Sequence, residues 1–133
     1  NHFYDFKEFV YASPECHATV EELKGLGIHL AVITNTAGSL AREILKDLEI
    51  EIDCIIGGDE VANGKPAPDI VFKACDLLGV SIEETVLVGD SIYDMEAAKN
   101  SGSCSIGING AVGDCTIDAL GELTEIVKND MQL

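Results

Sequence analysis

The chain has 133 residues, 47% of them hydrophobic, which suits one domain with a core of ordinary size and excludes intrinsic disorder. Acidic residues number 24 against 8 basic ones, a formal net charge of −16 that repels nucleic-acid backbones and anionic membranes, so neither is an expected partner. No apolar run approaches the ~20 residues that cross a bilayer, and no basic stretch followed by an apolar one marks a secretory leader. Five cysteines (16, 54, 75, 104 and 115) are odd in number and lack metal-ligand spacing, and they read as reduced thiols of a cytoplasmic protein. His2, His17 and His29 are scattered. On so acidic a chain, an anionic substrate needs local positive charge or a bound cation.

In chain order, residues 1–10 (NHFYDFKEFV) are aromatic-rich and read as a helix end or connector. Residues 15–26 carry apolar positions at helical spacing and stop at Gly27. Residues 28–34 (IHLAVIT) form a nearly continuous apolar run, the pattern of a strand buried on both faces. Residues 38–48 return to helical period, with Ala41, Ile44, Leu45 and Leu48 on one side. A short strand at 53–57 is followed by Pro66 and Pro68, which fit the first turn of a helix running to Leu78 and ending at Gly79. A turn at 81–84, a strand at 85–89, a helix at 92–101 closed by Gly102 and a strand at 104–108 come next. A weaker strand at 115–118 and a helix at 119–128 complete the chain. The alternation predicts an α/β fold, a Rossmann-like parallel sheet with helices on both faces. In such sheets ligands bind beyond the carboxyl ends of the strands.

Three polar clusters follow predicted strands: Thr34-Asn35, Lys65 in GKPAPD, and Asp90 with Asp94 in VGDSIYD. Parallel strands would gather them on one edge, where a hydroxyl, a cation and two carboxylates suit a phosphoryl group and a divalent metal. Taken singly, each has a plainer reading. Thr34 could cap the next helix, Lys65 could be a solvated lysine, Asp90 could be an N-cap and Asp94 a first-turn acid. Their joint order, one crossover unit apart each time, favours the shared site.

The stretches AVITNTAG, GGDEVANGKPAPDIVFKA and VLVGDSIYDMEAAKNSG resemble motifs two, three and four of the haloacid dehalogenase superfamily. The likeness is greatest to the branch that contains phosphoglycolate phosphatases and β-phosphoglucomutases, and it spans about residues 11–128. It implies a Mg²⁺-dependent phosphatase acting on a small phosphorylated metabolite, with a phosphosugar mutase as the nearest alternative. By position, the Thr34 hydroxyl and the Asn35 backbone N–H would contact phosphate oxygens. Lys65 would neutralise charge on the phosphoryl group, and Asp90 would ligate Mg²⁺. Asp94 would hold a metal-bound water or orient Lys65.

Members of the superfamily begin with a strand ending in Asp-x-Asp, whose first aspartate becomes an aspartyl-phosphate. No Asp-x-Asp occurs in these 133 residues. Asp5 has no second aspartate two positions on, and no apolar strand is evident before it. The resemblance therefore implies that residues 1–10 are the tail of a helical cap and residues 11–133 an incomplete core lacking its first, central strand. It also implies that the nucleophile comes from a complementing N-terminal segment, on the same or a second chain, and that this chain alone is inactive. The other reading of the missing nucleophile is a binding or assembly module without turnover.

Overall fold

A computed structural model describes residues 3–4 and 15–131. Strands and helices alternate through β1 (Phe3–Tyr4), α1 (Glu15–Gly25), β2 (Ala31–Thr34), α2 (Gly38–Asp47), β3 (Cys54–Gly57) and α3 (Asp69–Leu78). They continue through β4 (Val86–Gly89), α4 (Ile92–Ser101), β5 (Cys104–Ile108), β6 (Cys115–Ile117) and α5 (Glu122–Met131). All strand pairs are parallel. Strands β1, β4, β5 and β6 hydrogen-bond in that order, and β2 pairs with β3. Because β1 also lies beside β2, the spatial order is β3-β2-β1-β4-β5-β6.

Side-chain alternation along the strands builds two cores. Val32 of β2 and Val88 of β4 pack with Val20 and Leu23 of α1, Leu45 of α2, and Leu123 and Val127 of α5. The neighbouring positions Ala31, Ile33 and Leu87 face the other way, onto Ile70, Val71 and Ala74 of α3 and Ala97 and Ala98 of α4. Helices thus cover both faces, which is why the strands read as unbroken apolar runs. Helices α3 and α4 end where Gly79 and Gly102 turn left-handed, at φ of 68° and 85°.

Three differences from the sequence expectation have local causes. The central position is not vacant, because Phe3 pairs with Leu87 and Tyr4 with Val88. The expectation that no strand precedes Asp5 is corrected accordingly. Buried between two helix layers, the backbone groups of β4 require partners, and an extended aromatic dipeptide supplies them over two rungs. Asp5 and the remainder of residues 1–14, assigned to a cap tail and the start of the core, lie outside the described residues. Strand β2 begins at Ala31, not residue 28, and the Leu30 N–H donates to the Asp53 carboxylate at 3.1 Å. Helix α5 begins at Glu122, not residue 119, because the Glu122 carboxylate accepts the N–H groups of Asp118 and Ala119, each at 2.8 Å, ahead of the first turn.

The four described thiols divide by environment. Cys54 and Cys75 are buried, and desolvation pushes both thiols above the usual cysteine range, while Cys104 and Cys115 are exposed. A thiolate-directed disulfide reagent at pH 7 is expected to modify Cys104 and Cys115 in the folded protein. Cys54 and Cys75 should react only in denaturant, as peptide mass spectrometry of the modified chain would show.

Candidate active site

The carboxyl ends of β2 and β4 carry the candidate residues, and a loop between β3 and α3 joins them. Thr34 closes β2 with its side chain fully buried. Its hydroxyl oxygen accepts the Thr36 N–H at 3.2 Å, which tightens the turn into α2. Thr34 does not cap that helix. The N-cap is Ala37, and the Gly38 N–H is met by the Asp59 carboxylate at 2.9 Å.

At the end of β4, Asp90 is half-buried and Ser91, not Asp90, is the N-cap of α4. The Ser91 hydroxyl accepts the Asp94 N–H at 3.2 Å, and Asp94 Oδ2 accepts the Ser91 N–H at 3.2 Å, so the two residues cap each other. Asp94 Oδ2 also accepts the Ser91 hydroxyl at 2.9 Å and the Asp90 N–H at 3.2 Å. Asp94 lies directly over the last residue of β4. A Cβ placed on Gly89 would stand 2.3 Å from Asp94 Cβ and 2.5 Å from its carboxylate. No side chain fits there.

Lys65 reaches this carboxylate from the loop that precedes α3. Its Nζ lies 2.5 Å from Asp94 Oδ1 and 3.4 Å from the Ile33 carbonyl at the end of β2. The pair is nearly sealed, with side-chain exposures of 6% for Lys65 and 3% for Asp94. Thr34, Lys65, Asp90 and Asp94 are thus brought to one edge: Ile33 neighbours Thr34 and binds the ammonium, and Asp94 joins that ammonium to the Asp90 backbone. A cleft of about 460 Å³ opens beside Asp90, with Met95, Asn109 and Val112 on its wall.

For Asn35, expected to act through its backbone, the contacts seen are those of its side chain. Its Oδ1 accepts the Lys65 N–H at 2.8 Å and its Nδ2 donates to the Lys65 carbonyl at 3.0 Å. The Asn100 amide donates to the Pro66 carbonyl at 2.9 Å. Further from the edge, Glu60 braces the 58–60 turn. It accepts from Arg42 at 2.6 Å and from the Gly57 N–H at 2.9 Å. The Arg42 guanidinium first, and the Gly57 N–H second, hold the Glu60 carboxyl below the usual glutamate range. Whatever Glu60 adds to stability is therefore present at neutral pH and lost as pH falls through that lowered value. Sequence reasoning missed Ser91, Asn100 and the side-chain role of Asn35. Only Ser91 had a local signal, since Ser-x-x-Asp ahead of a helix is a capping pattern.

The chain matches the haloacid dehalogenase-like hydrolase family over residues 2–108. It belongs to that family. A phosphoglycolate phosphatase of Neisseria meningitidis is 40% identical over 133 residues, covering 91% of this chain and 57% of the relative. The chain therefore spans little more than half the length of that curated relative. A HAD-superfamily hydrolase of subfamily IA from Geobacter sulfurreducens superimposes with a TM-score of 0.79 over 92% of the chain and 65% of its own, at 22% identity, and shares the fold. CbbY of Rhodobacter sphaeroides, solved with xylulose-(1,5)bisphosphate, gives a TM-score of 0.72 at 30% identity, covering 87% of the chain and 60% of its own.

In this haloacid dehalogenase-like chain the buried ion pair predicts a large cost on breaking it. Replacing Asp94 by Ala leaves the Lys65 ammonium without this carboxylate and strips an acceptor from Asp90 and Ser91. The expected loss is about 3–5 kcal/mol of unfolding free energy. Asp94→Asn, which keeps an acceptor for those N–H groups, should lose less. Urea unfolding of the two variants followed by circular dichroism measures both.

Proposed function

We propose that the protein acts as a phosphomonoesterase on a small phosphorylated metabolite, with phosphoglycolate the first substrate to test. The observation that carries the reading is the convergence of Lys65 and Asp94 beside Thr34 and Asp90 at one sheet edge. A phosphoryl group in transfer spreads charge over its oxygens, so fixed donors and a cation supply most of the catalysis. On a chain of net charge −16, the Lys65 ammonium is a local site of opposite sign for such an anion. The Thr34 hydroxyl hydrogen can donate to a phosphate oxygen while its oxygen accepts from Thr36. The Asn35 N–H would serve the same phosphate.

The donor set suits a hydrated Mg²⁺. Among the described residues no three His, Cys, Asp or Glu side chains converge as a metal cage. Mg²⁺ keeps several waters and takes one or two protein carboxylates, and Asp90 offers one at the strand end. When bound, the ion would neutralise charge on the phosphoryl oxygens. Asp94 fits the role of orienting Lys65 better than that of a ligand, because both its oxygens already accept hydrogen bonds. The names of relatives favour this chemistry, since one is a phosphoglycolate phosphatase and a structural neighbour holds a sugar bisphosphate.

No Asp-x-Asp occurs in the 133 residues, so in this reading the attacking carboxylate comes from a complementing segment, on the same or a second chain. Protein complemented with such a segment should release phosphate from phosphoglycolate and p-nitrophenyl phosphate only with Mg²⁺. Asp90→Ala should lower that rate by at least about 10²-fold. Full activity in Asp90→Ala would sink the metal assignment. The 133-residue chain alone is expected to release no measurable phosphate. Turnover by it that disappears in Lys65→Ala would show that no upstream carboxylate is needed.

A further inference from the structure

We propose that the Asn35 side-chain amide is the positioning device that sets where the Lys65 ammonium lies, and that Gly64 is present to leave room for it. The inference rests on reading Lys65 as the cation that meets the phosphoryl group. Lys65 sits between β3 and α3, outside any helix or strand, so no ladder fixes its backbone. One amide from the end of β2, 30 residues away in sequence, holds both of its backbone polar groups, the N–H at 2.8 Å and the carbonyl at 3.0 Å. This complementarity also fixes which way the amide faces, since an oxygen must accept and a nitrogen must donate. The next carbonyl, that of Pro66, is held from the other side by Asn100 of α4 at 2.9 Å. Asn35 directly follows Thr34 and Asn100 shares α4 with Asp94, so the loop is referenced to the groups that its lysine must meet. From this backbone position Nζ reaches Asp94 and the Ile33 carbonyl together.

Gly64 supplies independent support. A Cβ there would lie 2.5 Å from Asn35 Oδ1 and 3.3 Å from its Cγ, and the three nearest atoms all belong to the Asn35 amide. Gly64 does not have a positive φ, so its backbone conformation does not demand glycine. The steric requirement comes from the Asn35 amide.

Four forms of the 133-residue chain test the proposal: wild type, Asn35→Ala, Gly64→Ala and the double variant. Two readouts are used, exchange of the Lys65 amide hydrogen and the acylation rate of Lys65 Nζ by acetic anhydride, with the exposed Lys99 as internal reference. Each single variant should raise both Lys65 rates about tenfold, the effect of a hydrogen bond or so, and leave Lys99 unchanged. In the Asn35→Ala background, Gly64→Ala should be silent, because the atoms that it would strike are gone. Unchanged Lys65 rates in Asn35→Ala would overturn the proposal. So would a Gly64→Ala effect that persists undiminished in the double variant. If Asn35→Ala does not fold, Gly64→Ala, which deletes no polar group, decides by itself. Protection of Lys65 from acylation by inorganic phosphate is measured alongside in wild type. Its absence, with the variant pattern intact, would count against the phosphatase reading and leave the positioning role standing.

Discussion

The contact between the Lys65 ammonium and the Asp94 carboxylate organises the sheet edge on which the candidate residues meet. Both groups are almost fully withdrawn from water, and a charge so placed is costly unless it is paired and hydrogen-bonded. The surroundings meet that condition in detail. Asp94 is fixed by its reciprocal cap with Ser91 and by the Asp90 N–H, and Lys65 is fixed through its backbone by Asn35. Strand β2, strand β4, the first turn of α4 and the loop before α3 are consequently tied at one point. The loop before α3 lies outside any helix or strand around Lys65, so its geometry rests on these contacts and not on a ladder of its own.

Charge distribution sets this lysine apart. The chain carries 24 acidic residues and only 8 basic ones, so most of its surface repels anions. An ammonium nearly sealed from solvent is screened less by salt than one on the surface. Its opposite charge, Asp94, accepts hydrogen bonds from Ser91 and from the Asp90 N–H, which hold the carboxylate in place. The result is a cation held at the sheet edge in a molecule of opposite overall sign.

Much of this was legible in the primary structure, and the parts that were not share a physical character. The apolar runs IHLAVI and VLVG and the helical periods of 38–48 and 92–101 gave their elements because burial on both sheet faces dictates residue type locally. Thr34, Lys65, Asp90 and Asp94 could be singled out because each polar cluster comes after an apolar strand and the stretches that hold them resemble family motifs. The two-rung strand at Phe3–Tyr4 could not be found this way, since two residues have no periodicity. The start of α5 was misplaced because a single carboxylate, Glu122, satisfies the N–H groups just ahead of it. The Asn35 and Asn100 clamps join residues 30 and 34 positions apart, and no window along the sequence contains both ends.

Gly89 joins foldedness and chemistry in one atom's absence. The volume that its missing methyl would fill is taken by Asp94, so even alanine there would push the carboxylate off the strand end and away from the lysine. Position 89 therefore couples the packing at the end of β4 to the placement of the carboxylate that meets Lys65, and a larger residue there would disturb both together.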